Sequence, residues 1–478
     1  MQKKTGMSVF TLSMMIVAAV VTSLRGLPMM AKEGLSMIFY LGFSFLFFLL
    51  PASLVAAELG GAFSQKGGGV YTWVKEAFGS RWGFTAIWLQ WIQNVVWYPT
   101  ALAFAAGALA YLFMKPELAS SGVYTGIVIL ICYWGATLVT LKGTKSVSLL
   151  AKYGVLLGTL LPGVFIIVLA VLWVVQGNPI CFLDVSSGAD NVSHTLQHAR
   201  FFPHITNLGS ISFLAGIILL FAGVEVHAVH ANELEQPAKQ FPAAMFLSMG
   251  VVFVLFALGS LAVATVLPAK DISLDAGVMQ AFSDLLAKFK LSFLVPVIGF
   301  LAAFGAIGGV MSWIGGPSRG LLETAKQGEI PPFMAKTNSS GMQINILLIQ
   351  AVLVSILASL YFIMKNVSVA FFLLSAMTIT LYLVMYILMY LAAIKLRIKQ
   401  PDLPRSYKIP GGLFGMCLVA GLGLFGVIFS LIVGFVPPDN LPVGNPQLYV
   451  GVVAAGLIVF VSAPLIINKL KKPGWKQV

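Results

Sequence analysis

Leu208-Gly-Ser-Ile-Ser-Phe-Leu-Ala-Gly-Ile-Ile-Leu-Leu-Phe-Ala222-Gly223-Val-Glu225-Val-His-Ala-Val-His230-Ala-Asn232-Glu233-Leu-Glu-Gln236-Pro-Ala-Lys-Gln-Phe-Pro242 decides how this chain folds. It opens as an apolar helix fit to enter a bilayer and then sets an acid, Glu225, inside that helix. A carboxylate at membrane depth is costly unless it is paired, protonated or facing water, so it marks function. Gly223 beside it lets the helix unwind. Unwound backbone at that depth exists only where it lines a cavity or is buried in protein.

The rest of the chain has the composition of that environment. Of 478 residues, 59% are hydrophobic and 9% are charged, against about a quarter charged in a soluble chain. The chain is therefore an all-α polytopic membrane protein. Twelve transmembrane spans of roughly 20 residues each are expected at 8–31, 34–57, 84–113, 123–141, 152–175, 208–231, 243–267, 293–314, 343–364, 368–394, 413–436 and 448–467. The first apolar run is too long for a cleavable signal peptide and is interrupted by Arg25. Three cysteines, two of them inside spans, offer no disulfide framework or zinc spacing.

The net charge of +13 is distributed by topology. Of 29 Lys and Arg residues, 21 fall in the two termini and the loops on one side, and 7 fall in the other loops. Arg25 lies within a span. The positive-inside rule puts both termini in the cytoplasm, so the charge is no nucleic-acid footprint.

Span 1 carries Thr22-Ser23-Leu-Arg25-Gly26-Leu-Pro28 at mid-membrane. Proline removes a backbone donor and glycine tolerates unwinding. Pro28 alone would make a kink; Arg25 beside it favours a functional break. Half-helix ends freed by such a break bind carboxylate and amino groups. Interrupted spans 1 and 6, each opening a five-span unit of opposite orientation, are the signature of an inverted-repeat transporter.

Other stretches carry two readings each. Gln65-Lys-Gly67-Gly-Gly-Val-Tyr71-Thr-Trp suggests a phosphate cradle, but no Gly-Lys-Ser/Thr follows, which favours an amphipathic helix between spans 2 and 3. Gln90, Gln93 and Asn94 of span 3 either hydrogen-bond between helices or line a cavity. Lys152, at the start of span 5, has snorkelling as its plainer account. The loop 176–207 holds Asp184, Asp190, His194, His198 and His204. It reads as solvated rather than metal-binding, with titration near about pH 6 left open. Tyr382, Tyr386 and Tyr390 share one helix face. Hydroxyls at membrane depth need partners, which makes Tyr382 and Tyr386 cavity candidates.

Gly223-Val-Glu225 through Asn232-Glu233 to Pro237 and Pro242, the Gly67 to Trp73 loop, and Ser312-Trp313-Ile-Gly-Gly-Pro-Ser-Arg-Gly320 resemble the amino acid–polyamine–organocation superfamily. Within it they are most similar to the glutamate/GABA antiporter family. The resemblance implies a LeuT-like core in residues 1–394 (spans 1–10), with two extra helices and a short tail in 395–478. It implies exchange of amino acids by alternating access. Substrate amino and carboxylate groups would bind Thr22, Ser23, Gly26, Gly223, Val224 and Glu225. Trp313 matches the span 8 tryptophan, and Tyr382 and Tyr386 match a tyrosine pair in span 10. Lys152 resembles a position where some members use an ammonium in place of sodium.

Two departures bear on the substrate. Gly309 stands where glutamate antiporters of the family carry an acid, and Arg25 is an added charge at the first break. A buried guanidinium needs an anion: Glu225 is one candidate partner for Arg25, and a second substrate carboxylate is the other, for which Gly309 is expected to leave space beside Trp313. Gln93 and Asn94 join the expected site. Glu225 and Lys152 are the expected coupling groups, with His227 or His230 as the alternative for pH control. The expected function is glutamate/GABA exchange across a bacterial inner membrane, serving a cytoplasmic decarboxylase in acid resistance. Substrates and lipids are the expected partners; no cofactor, metal or catalytic site is expected. An exchanger or proton-coupled permease for another amino acid or its amine, and a transporter-like nutrient sensor, are the alternatives. A sensor would carry long soluble extensions, and a channel would need a pore loop or acidic ring.

Overall fold

The computed structural model describes residues 8–63, 69–183, 201–203, 205–226, 234–364, 366–439, 443 and 445–475. They form a helical membrane protein. Among the described residues, eleven helices are long and apolar enough to cross a bilayer, and a bent pair, Val9–Val20 with Leu24–Ala31, makes a twelfth span. These are the twelve expected spans, and spans 2, 3, 5, 7, 8 and 10 run several residues longer at their basic-side ends.

Span 1 starts at Ser8, whose hydroxyl accepts the Thr11 amide at 3.1 Å and caps Val9–Val20. It stops because Val21 and Ser23 leave helical geometry; Ser23 is fully extended. A tight turn, Leu24–Gly26, leads into Leu27–Ala31 at an angle of 48° to the first half. Pro28 does not break the helix. It lies in the first turn of the second half, where its missing N–H is an orphan in any case.

Span 6 runs through Phe213–Phe221 and stops at Ala222, which is extended, and Gly223, whose φ of +111° favours glycine. Residues 224–226 then form one turn. Asn232, Glu233, His227 and His230 lie outside the described residues, as do His194, His198, His204, Asp184, Asp190 and the 64–68 glycine stretch.

Four departures have local causes. Span 8 continues from Val295 to Lys326 through Gly315-Gly-Pro317 instead of ending at 314. Glycine and proline are tolerated in membrane helices because neighbours re-satisfy the freed backbone groups. Span 5 begins at Thr144, and both it and span 2 contain a widened turn just before a proline, Pro162 and Pro51. The loop after span 7 holds a helix, Gly277–Lys288, too short to span. It buries Val278, Met279, Ala281, Phe282, Leu285 and Leu286 at helical spacing. The joining helix expected between spans 2 and 3 is Val70–Phe78; it buries Val70, Tyr71, Trp73 and Val74.

Spans 3 and 10 are central: 89% of the most apolar window of each is buried, against 11% for span 12. Spans 5 and 8 touch through glycines. A Cβ at Gly154 would lie 2.9 Å from Gly308 Cα, and one at Gly158 would overlap Gly305. Such contacts let backbones approach without a hydrophobic drive between helices. The expected boundary at 394 is crossed by a buried ion cluster. Glu58 of span 2 takes Arg397 Nη2 at 2.8 Å, Arg405 Nε at 2.9 Å and the Ile409 amide at 2.8 Å.

Candidate functional site

The two breaks meet at the centre of the molecule. Gly26 in the span 1 turn lies against Leu220 at the end of the first half of span 6. Beside them is a small cavity whose polar lining is Thr22, Ser23, Arg25, Gln93, Asn94 and Tyr382. Trp97, Phe256 and Trp313 supply apolar walls. The space is about 30 Å³, room for a water or two and not for an amino acid.

Glu225 is 1% exposed and fully engaged. Tyr382 donates to Oε1 at 2.5 Å, Gln90 Nε2 donates to the same oxygen at 3.0 Å, and Tyr386 donates to Oε2. The Gly223 amide, freed by the break, donates to the Tyr386 hydroxyl at 3.1 Å. A carboxylate at a helix break is thus held by hydroxyl and amide donors, and the break's own backbone is tied into the same network.

Arg25 is 6% exposed and lies with its guanidinium 5.3 Å from the centre of the Trp97 ring. It is not paired with Glu225. Among the described residues it makes no ion pair. A buried guanidinium against an aromatic face keeps its fork of donors available to an anion. The Ser23 hydroxyl, also buried, has no hydrogen-bond partner among the described residues.

Trp313 forms the partition. Its indole N–H donates to the Ala19 carbonyl at 3.2 Å, bridging span 8 to the last turn before the first break. Its ring lies where a Cβ on Gly223 would fall, 2.9 Å away. On the other side of Trp313 and Ala19, a cavity of about 660 Å³ extends toward the basic loops, with Glu225, Gln90, Ser312 and Arg319 in its wall.

Other expected site residues are placed differently. Gly309 does not open space for a substrate. A Cβ there would meet the Thr22 carbonyl at 2.5 Å and Thr22 Cβ at 2.9 Å. The span 1 backbone fills the position, and glycine is needed for that close approach. Lys152 does not reach the breaks; its side chain is exposed, with Nζ 5.7 Å from the Tyr153 ring centre. Val224 is buried in the core and lines neither cavity. Gln93 and Asn94 line the small cavity while donating to the Gln90 carbonyl at 3.2 and 2.8 Å.

Gln90, Trp97 and Phe256 were absent from the expected site. Gln90 stands one turn before Asn94, and that spacing was the signal for it; nothing in the sequence marks Phe256. Farther out, Glu33 lies just past span 1 with its carboxyl pushed up to about 8. Burial is the main cause, and the Tyr40 hydroxyl and the Lys32 ammonium partly offset it.

Residues 7–460 match a family model described as amino acid permease. The chain is 38% identical over 466 residues to an uncharacterized transporter of Legionella pneumophila, covering 98% of this chain and 97% of that protein. It is 33% identical over 458 residues to a glutamate/gamma-aminobutyrate antiporter of Lactococcus lactis subsp. lactis, covering 95% and 89%. A protein of the same name from subsp. cremoris is 34% identical with the same coverage.

Proposed function

The chain belongs to the amino acid permease family, and from that premise we propose that it is a secondary-active amino-acid antiporter exchanging glutamate for GABA by alternating access. The observation that carries this reading is Arg25, a buried guanidinium at the break of span 1 with an aromatic face, and no carboxylate among the described residues, against it. Glutamate brings the anion such a group lacks. Its α-ammonium and α-carboxylate would meet the backbone groups freed at Val21–Ser23 and Ala222–Gly223, and its side-chain carboxylate the guanidinium fork. The names of the lactococcal relatives support the same pair.

The sequence of events follows from the partition. The junction must widen to admit an amino acid, and the wall to move is Trp313, which separates it from the large cavity. The excess of Lys and Arg on that side makes it the cytoplasm, with both termini there. Glu225 is the proposed coupling acid, because opening the breaks disturbs its tyrosine donors. The exposed position of Lys152 leaves Glu225 as the better-placed group. The exchanger moves substrate and product, while a cytoplasmic decarboxylase would consume the proton.

Counterflow tests this. Purified protein in liposomes loaded with GABA should take up labelled glutamate, and unlabelled glutamate and GABA should compete best within a panel of amino acids and amines. If only neutral amino acids or amines compete, the glutamate assignment fails and an exchanger remains. Absence of any counterflow in folded protein would favour a sensor.

A further inference from the structure

Span 8 carries Ser312, Gly315, Gly316 and Arg319 at spacings of three, four and seven residues, which sets them on one face. That face lines the large cavity, which has Glu225 and Trp313 in its wall as well. Nothing lies within 4 Å of a Cβ built on Gly315 or Gly316. The helix therefore presents bare backbone to open space between Trp313 and Arg319. Seven residues of helix cover about 10 Å, a reach suited to handing a small molecule from one end to the other.

Two charged side chains line this cavity among the described residues, Glu225 and Arg319. Glu225 is occupied by Tyr382, Tyr386 and Gln90. Arg319 is not comparably engaged. Its Nη2 lies 3.9 Å from Met342 Sδ, and a thioether is a weak acceptor. Among the described residues Arg319 makes no ion pair. Its guanidinium is exposed to the cavity rather than neutralised by it.

We infer that Arg319 is a second docking point for the carboxylate of an acidic amino acid, on the cavity side of Trp313. This rests on the antiporter reading above. Arg25 and Arg319 then stand as two stations on either side of the tryptophan. A carboxylate leaving the first meets the second before it reaches bulk water, while the body of the substrate lies along Gly315 and Gly316. The contact is solvent-accessible, so it is weak and screened by salt. That suits a station from which substrate must leave again.

The test uses full-length protein in liposomes of determined orientation, with Arg319→Gln and Arg319→Lys variants. Glutamate KM is measured separately from each face. Arg319→Gln should raise the cavity-side KM about fivefold at low salt, the scale of one exposed charge contact. It should leave the opposite-side KM unchanged, and Arg319→Lys should recover most of the loss. The difference should shrink as salt rises, and glutamine should respond less than glutamate. Equal rises from both faces, or for glutamine as much as glutamate, would make Arg319 a structural residue and overturn the inference. So would an unmoved cavity-side KM in a wild type and variant that both exchange glutamate. A wild type that exchanges no acidic amino acid would overturn the antiporter reading itself, and this inference with it.

Discussion

Arg25→Ala is the substitution that bears most directly on substrate choice. It removes a guanidinium that is 6% exposed, lines the junction of the breaks and lies 5.3 Å from the Trp97 ring centre. Two losses follow, and they differ in kind. Loss of the ring contact, about 0.5–2 kcal/mol, falls on the protein whatever is bound. Loss of a charge-assisted hydrogen bond to a substrate carboxylate, about 1.5–3 kcal/mol, falls only on a substrate that brings that carboxylate. Glutamate exchange should therefore drop by about one to two orders of magnitude more than glutamine exchange. Arg25→Lys should fall between, keeping the charge but losing the planar fork. The assay is counterflow with each substrate in turn, with folding checked by thermal unfolding in detergent. Equal losses for glutamate and glutamine in folded protein would refute the reasoning and leave Arg25 as a packing partner of Trp97.

Three further outcomes are expected. Glu225→Gln should flatten the pH–rate profile of exchange while leaving measurable transport; an unchanged profile would move pH control to His227 or His230. Gly223→Ala should lower both the thermal midpoint and the exchange rate, because φ of +111° strains any side chain and the added carbon meets Trp313; strain of this kind costs about 1–2 kcal/mol. Glu33 has a folded pKa of about 8 against 4.5, so the folded state holds the extra proton between those values. Stability should fall as pH rises through that window, and Glu33→Gln should remove this slope in thermal unfolding scans from pH 4.5 to 8. Parallel curves for the two proteins would show that Glu33 does not titrate there.

The spans and both breaks were legible because the bilayer forces simple signals. An acid beside Gly223, and an arginine beside Gly26, stand out in apolar runs. What lies opposite a residue was not legible. Gly309 looked like vacated space, yet the Thr22 backbone fills it. Pro28 taken alone looked like a kink, yet the chain departs from helix at Val21 and Pro28 starts the next segment. Lys152 looked near the breaks by span number, but the helix turns its side chain outward. Gln90 was hidden among three amides on one helix, and only the position of span 6 shows which of them meets Glu225. Helix Gly277–Lys288, with 12 residues, is too short to give the long apolar run by which a span is recognised.

The cluster around Glu58 sets a condition on how the molecule is made. Glu58 leaves the ribosome with span 2, but Arg397 lies 339 residues later and the Ile409 amide 351 later. At ordinary synthesis rates of about 5–20 residues per second, that is a wait of roughly 20 to 70 seconds. Through that interval the carboxylate must be hydrated, protonated or borrowed by another group, so the basic end of span 2 cannot reach its final burial early. A chain cut at residue 394 would retain the first ten spans and still leave Glu58 waiting for both guanidinium partners.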